Sequence, residues 1–199
     1  MSQPANLTCT IACKDIILRE YRLEDLDRLY AITQEPEVME FLPDWNVPRE
    51  QRREWLANYE IVENDRFLER IARQEEAGEL RLRLALVSKE TGEVIGWCCS
   101  GMKEELPPPN REIMYAISNR HTNKGYAAQA LQGLTDFLFR HAKVEELHAL
   151  ALDANLPSNR VIRKSGYTLA GSIALESGLY HHYRITGTEW AGEGQQNRS

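Results

Sequence analysis

The spacing of apolar positions changes along the chain, and each change marks an element. Asp15-Ile-Ile-Leu-Arg-Glu-Tyr21 reads as a first strand. Leu26, Leu29, Tyr30 and Ile32 then fall at helical spacing, after Glu24 and Asp25, whose charges suit a helix N-terminus. Pro36 and Pro43 interrupt, with room for a short helix through Val38–Phe41. Pro48 opens a stripe of Trp55, Tyr59, Val62, Phe67 and Ile71, with a break expected near Asn64 and a stop at Gly78. The period then drops to two. Leu82, Leu84 and Leu86 alternate with Arg81, Arg83 and Ala85. A turn at Glu90–Glu93 joins this strand to a second, Val94–Met102, as a hairpin. After Pro107–Pro109 a third strand, Arg111–Ser118, sets Ile113, Tyr115 and Ile117 on one face and Glu112, Met114, Ala116 and Ser118 on the other. A long amphipathic helix carries Tyr126, Ala130, Leu131, Leu134, Phe137 and Leu138 to about His141. A strand over Leu147–Leu152, a helix over Pro157–Ser165 closed by Gly166, and strands over Tyr167–Ile173 and Leu179–Ile185 complete the pattern.

This order predicts a mixed α/β (α+β) fold around one sheet. Turn-linked strands argue antiparallel pairing, and the later strand–helix–strand argues a local parallel pair. The length of 199 residues fits one domain. It divides into an N-terminal extension (1–13), the domain proper (14–185) and a polar tail (186–199) expected to be disordered. With 42% apolar and 27% charged residues the chain is an ordinary globular one. The net charge of −6 argues against a nucleic-acid partner. No apolar run is long enough to span a membrane, and the start lacks the basic and apolar regions of a secretory signal. The expectation is a cytoplasmic protein, monomer or homodimer. Cys9, Cys13, Cys98 and Cys99 lack zinc-like spacing and read as reduced thiols, so no metal is expected.

The chemistry concentrates where the third strand enters the long helix, Met114 through Ala130. Helix N-termini offer unpaired N–H groups and a partial positive charge, which suits an anion. Arg120 and Lys124 add charge, no acid lies between Asn119 and Gln129, and Gly125 lets a phosphate approach the backbone. The loop is neither GxxxxGK[ST] nor GxGxxG. A second segment, Ala151 through Tyr167, contains Asn155, Ser158, Lys164, Gly166 and Tyr167 as Asn-x-x-Ser followed by Lys-x-Gly-Tyr.

Together the two segments resemble the GNAT superfamily of acyl-CoA N-acyltransferases, and within it the ribosomal-protein N-terminal acetyltransferase branch. By order of elements the resemblance covers about residues 14–185. It implies a single domain whose central sheet, mostly antiparallel and partly parallel, is twisted and flanked by helices. It also implies an N-acetyltransferase that moves an acetyl group from acetyl-CoA to a primary amine by direct attack on the thioester. The family loop, Gln/Arg-x-x-Gly-x-Gly/Ala, falls on Thr122, Asn123, Lys124, Gly125, Tyr126 and Ala127, and with Ala128 its N–H groups would hold the CoA pyrophosphate. Thr122 departs from the usual Gln or Arg, and Ala170 stands where the branch often has Glu.

The resemblance also implies roles. Backbone groups at Ile117 and Ser118 would pair with the pantetheine arm. Asn155 matches a position that bonds that arm, against the alternative of a loop Asn satisfying its own backbone. Ser158 matches the acid that protonates the departing thiolate, against the alternative of a helix cap. Glu112 lies where many members carry the carboxylate that deprotonates the amine, directly or through water, against the alternative of a solvated strand carboxylate. His181 and His182 are rivals for the base, and as neighbours on a strand they should face opposite ways. His121 flanks the phosphate loop.

The acceptor is read from charge. Residues 35–79 hold thirteen acids and six bases, net −7, so the rest of the chain is slightly positive. In the family this helical region walls the acceptor cleft. An acidic wall favours a polypeptide N-terminus or a small cationic amine, with Trp45 adding an aromatic face for a cation. The alternative function is a CoA-binding sensor or interaction module without turnover.

Overall fold

The computed structural model of the chain describes residues 9–196, with side chains through 192. The described elements are β1 (Thr10–Ala12), β2 (Ile16–Glu20), α1 (Leu26–Thr33), α2 (Pro36–Phe41), α3 (Arg49–Trp55), α4 (Ile61–Ala72), β3 (Leu82–Ser88), β4 (Val94–Met102), β5 (Arg111–Ile117), α5 (Tyr126–His141), β6 (Glu146–Leu152), α6 (Leu156–Lys164), β7 (Thr168–Leu175), β8 (Gly178–Thr186) and α7 (Gly187–Gln196). The strands form one eight-stranded sheet in the order β1-β2-β3-β4-β5-β6-β8-β7. Every neighbouring pair is antiparallel except β5 and β6, which run parallel.

Period-two patterning sends alternate residues to two cores. Leu18, Leu82, Leu84, Leu86, Cys98 and Ile113 pack against Ala130, Leu131, Leu134 and Leu138 of α5 and Phe67 and Leu68 of α4. Each of these buried leucines contributes about 1.5–3 kcal/mol relative to exposure. Ala85, Trp97 and Ala116 look the other way and pack against Leu26, Leu29 and Ile32 of α1, Val38 of α2 and Leu56.

Three expectations differ from the structure. The N-terminal extension (1–13) supplies a sheet strand: Thr10–Ala12 pairs with β2, while residues 1–8 lie outside the described residues. The break expected near Asn64 falls earlier, as a π-helical turn over Leu56–Glu60. Asn64 instead continues α4 and clamps β3, accepting from Arg83 N and donating to Arg83 O at 2.8 and 2.7 Å. The tail expected to be disordered (186–199) begins with the end of β8 and then forms α7, where Trp190 Nε1 donates to Asp136 at 3.1 Å and the indole packs on the core. Residues 197–199 lie outside the described residues. Among the described residues no helix is long and apolar enough to cross a membrane.

Candidate active site

The sheet is open at one place. β5 and β6 share a single register pair, Glu112 opposite His148, and beyond it the two strands are not bonded to each other. Ser118 N donates to Ile95 O of β4 at 2.8 Å, and Ile117 pairs with Gly96. Backbone groups of successive strand residues point to opposite edges. The N–H and C=O of Tyr115 and Ile117 therefore face the gap, where no strand among the described residues pairs with them. This corrects the expectation for Ser118: its N–H is committed to β4, its C=O accepts from His121 N at 2.8 Å, and its hydroxyl donates to Glu35 at 2.7 Å. Glu35 also accepts from Asn119 N at 2.6 Å, and Glu37 accepts from Asn119 Nδ2 at 2.7 Å, so α2 is tied to the end of β5.

At the upper end of the gap the chain makes a short turn, Asn119–His121, and then enters α5. Asn123 and Gly125 both adopt positive φ (62° and 76°), which turns the backbone under the helix start. Glycine carries this at no steric cost, and a Cβ at Gly125 would meet nothing within 4 Å. Among the described residues no side chain caps α5, and no loop or turn acceptor takes the N–H groups of Asn123, Lys124, Gly125, Tyr126, Ala127 or Ala128. Thr122, Asn123, Lys124 and Gly125 are exposed, and Lys124 Nζ stands 6.0 Å over the Tyr126 ring. The loop is an open cradle of donors at a helix terminus. His121 beside it is held below its usual pKa by burial and by Lys124 and Arg28.

At the lower end sits Glu112. Burial pushes its carboxyl up to about 7, and Glu105 adds to this. Lys103, Arg81 and the Leu150 N–H only partly offset that cost. A carboxyl in this range exchanges a proton near neutrality. Its register partner His148 is buried, with Nε2 on Pro109 O at 2.5 Å and Nδ1 on His182 Nε2 at 2.9 Å. The carbonyl can only accept, so His148 Nε2 carries hydrogen, and in the neutral pair His182 donates to His148. His182 is held below its usual pKa by burial and by His148. His181 faces the opposite way, against Asn159 at 3.0 Å and Asp153 at 3.2 Å.

The far wall of the gap is the start of α6. Asn155 is its N-cap, and its Oδ1 accepts from Ser158 N at 3.1 Å. Ser158 is therefore not the cap. Its hydroxyl meets Tyr115 Oη at 3.0 Å across the gap. Burial pushes the Tyr115 hydroxyl up to about 12, so it stays protonated. Tyr115 and His148 were not singled out by sequence reasoning. The available signals were a phenol among Ile113 and Ile117 on the β5 face toward α5, and a histidine inside an apolar strand.

Trp45 does not offer an open face of the kind expected. It stacks on the buried Trp97 with centroids 4.9 Å apart, and the Arg52 guanidinium lies 5.5 Å from its ring centre. Arg52 is buried and bonded twice to Glu60, at 2.9 and 2.5 Å. Glu63 likewise pairs with Arg83 at 2.7 Å.

A sheet opened between two parallel strands, with a donor-rich helix start at one end of the gap and a carboxyl near neutrality at the other, defines an acyl-CoA-type acyltransferase fold. The family model "Acetyltransferase (GNAT) domain" matches residues 15–168, and the chain belongs to this family of acetyl-CoA-dependent acyltransferases. It is 28% identical over 167 residues to an uncharacterized N-acetyltransferase, p20, of Bacillus licheniformis, covering 82% of this chain and 85% of that protein. Among solved structures, the aminoglycoside acetyltransferase AAC(6')-Ib in complex with coenzyme A aligns with a TM-score of 0.71 at 17% identity, over 92% of this chain and 99% of the other. The ribosomal L7/L12 alpha-N-protein acetyltransferase RimL, also with coenzyme A, aligns with a TM-score of 0.71 at 17% identity, over 89% of this chain and 98% of the other. At these identities the likeness is one of fold.

Proposed function

We propose that the protein transfers the acetyl group of acetyl-CoA to a primary amine by direct attack on the thioester, the acceptor being a polypeptide N-terminus or a small cationic amine. The observation that carries this reading is the gap between β5 and β6, with free donors at its α5 end and Glu112 at its base. The N–H groups from Asn123 to Ala128 bind the pyrophosphate; Thr122, expected among them, has its N–H and hydroxyl both turned to Asn119 O, at 3.4 and 3.0 Å. Tyr115 and Ile117 offer backbone partners to the pantetheine arm, which then lies in the gap as an extra strand would. The Asn155 side-chain amide keeps its N–H groups for the same arm while its oxygen caps α6. Glu112, directly or through a water, takes the proton of the incoming ammonium. The free amine attacks the carbonyl carbon, the C–S bond breaks, the thiolate receives a proton from the Ser158–Tyr115 hydroxyl pair, and the second proton that the nitrogen sheds on becoming an amide restores that pair through solvent. No metal takes part in this sequence.

The test is release of free CoA thiol from acetyl-CoA with kanamycin, spermidine, a serine-initiated tetrapeptide amide and a neutral amine. Thiol release with one of these supports the reading. Binding of acetyl-CoA without release to any acceptor would make the protein a CoA sensor.

A further inference from the structure

One row of register partners crosses the sheet on the face that carries Glu112. Leu82 of β3 pairs with Ser100 of β4, which sets Arg81, just before β3, opposite Gly101. Gly101 pairs with Glu112, Glu112 with His148, and His148 with Arg184 of β8. Register partners share a face of the sheet. Gly101 is bare there, and the Arg81 side chain fills the space: a Cβ on residue 101 would lie 2.7 Å from Arg81 Cγ and 3.1 Å from both Cδ and Nε. The Arg81 stem thus crosses β4 toward β5. Glu63 holds the Arg81 backbone N–H at 3.0 Å, and the Arg81 guanidinium has no carboxylate within ion-pair distance among the described residues.

The other groups around Glu112 are already spoken for. From the β4–β5 loop, Lys103 is bonded to Glu105 at 2.9 Å. From β4, burial pushes the Cys99 thiol up to about 12, so it is uncharged. From β6, His148 has both ring nitrogens engaged, and from β8, His182 is bonded to His148. Lys103 favours the Glu112 carboxylate, but Glu105, bonded to it, opposes that; from β8, Arg184 is bonded to Glu146 at 3.2 Å; Arg81 is the cation acting on Glu112 that no carboxylate pairs with among the described residues. We propose that Arg81, laid across Gly101, is a positioning residue that biases the protonation of Glu112. Its positive charge favours the carboxylate form against the cost of burial. If Glu112 is the base, as proposed above, Arg81 thereby fixes the acid side of the enzyme's working pH range.

The test reads Glu112 directly. Protein carrying ¹³C at the glutamate carboxyl is titrated by NMR, the Glu112 signal being assigned by its loss in Glu112→Gln. Arg81→Met is expected to raise the Glu112 midpoint by roughly 0.5–1 pH unit, because an attractive charge is removed. Arg81→Lys should keep most of the wild-type value. Gly101→Ala, which displaces the Arg81 stem, should move the midpoint the same way by less. With acetyl-CoA and the fastest amine of the panel, the acid limb of kcat/KM should follow. That is a loss of roughly three- to tenfold at pH 6, and little at pH 9. An unchanged midpoint in Arg81→Met overturns the proposal. A midpoint that moves while the acid limb stays fixed upholds the hold of Arg81 on Glu112 and overturns Glu112 as the base.

Discussion

The hydroxyls of Tyr115 and Ser158 meet at 3.0 Å across the gap that β5 and β6 leave open. The contact joins the two walls of the gap, and on the proposed mechanism it would make a two-membered proton source for the thiolate. Ser158→Ala leaves the Tyr115 hydroxyl, and Tyr115→Phe leaves that of Ser158. Each single change should lower kcat by roughly tenfold, and the double change by roughly 10²–10⁴, with the thermal shift by acetyl-CoA intact. Purified variants assayed for thiol release check this. A double variant with wild-type kcat would remove both residues from the chemistry.

Glu112 gives a paired prediction on rate and stability. Glu112→Gln should reduce kcat/KM by roughly 10²–10⁴ without loss of acetyl-CoA binding. In the wild type kcat/KM should rise with pH through about 7, where the carboxyl ionises. Stability should move oppositely. The folded protein binds this proton more tightly than the unfolded chain, so the folded state loses stability as pH rises from about 4.5 to about 7. The neutral Gln escapes that cost. Thermal melts should show Glu112→Gln more stable than wild type by about 1–3 kcal/mol at pH 8, and near parity at pH 4.5.

The open helix start at Gly125 was legible in the sequence because its signals are local: Gly125, a helix start, and no acid from Asn119 to Gln129. So were most strands, because period two survives in Leu82, Leu84 and Leu86. The parts that escaped depend on distant partners. Tyr115 matters because α6 folds back to bring Ser158 against it, more than forty residues on. The commitment of Ser118 depends on Ile95, and that of His148 on Pro109 and His182. β1 is three residues long and carries no periodicity of its own. The tail looked too polar to order, yet one indole, Trp190, finds Asp136 and a place against the core.

The loop at Gly125 can be tested without an acceptor. Gly125→Asp sets a carboxylate against the pyrophosphate at a position with φ of 76°. Gly125→Asn has the same shape, tolerates that backbone region, and carries no charge. The Asp variant should lose the thermal stabilisation by acetyl-CoA, while the Asn variant should keep most of it. Equal stabilisation of both, at the wild-type level, would put the pyrophosphate elsewhere.

Under α3, Arg52 and Glu60 form an ion pair with almost no access to water, the arginine side chain being 1% exposed. Removing one partner strands the other charge, at a typical cost of 3–5 kcal/mol. Arg52→Met should therefore destabilise by about 3–5 kcal/mol in urea unfolding. Glu60→Gln should cost less, because the amide oxygen can still accept a hydrogen bond from Arg52. Because the same Arg52 lies against Trp45, Arg52→Met should also loosen the Pro43–Trp45 turn, seen as a red shift of tryptophan emission before global unfolding.

The acids of residues 35–79 differ in how far they are paired, and the proposal of a cationic acceptor rests on the unpaired ones. Four acids of the 35–79 segment are committed: Glu35 and Glu37 to Ser118 and Asn119, Glu60 and Glu63 to Arg52 and Arg83. Glu50, Glu69 and Glu75 lie near arginines at the surface, where such pairs attract little beyond their partner. Glu40 on α2, Asp44 in the following turn and Glu54 on α3 are exposed, and no ion pair holds them among the described residues. Unpaired surface carboxylates on one wall act at a distance, so their effect is on encounter rather than on chemistry. Replacing these three with Gln, Asn and Gln should lower kcat/KM for kanamycin or spermidine by roughly three- to tenfold at low salt, with kcat unchanged. In the wild type, kcat/KM for those amines should fall as salt rises from 10 to 300 mM, and the triple variant should show a flatter dependence. A neutral amine should respond to neither change. If neutral or acidic amines prove the better substrates, or salt leaves the cationic ones unaffected, the acids of this wall are no more than solvated helix faces.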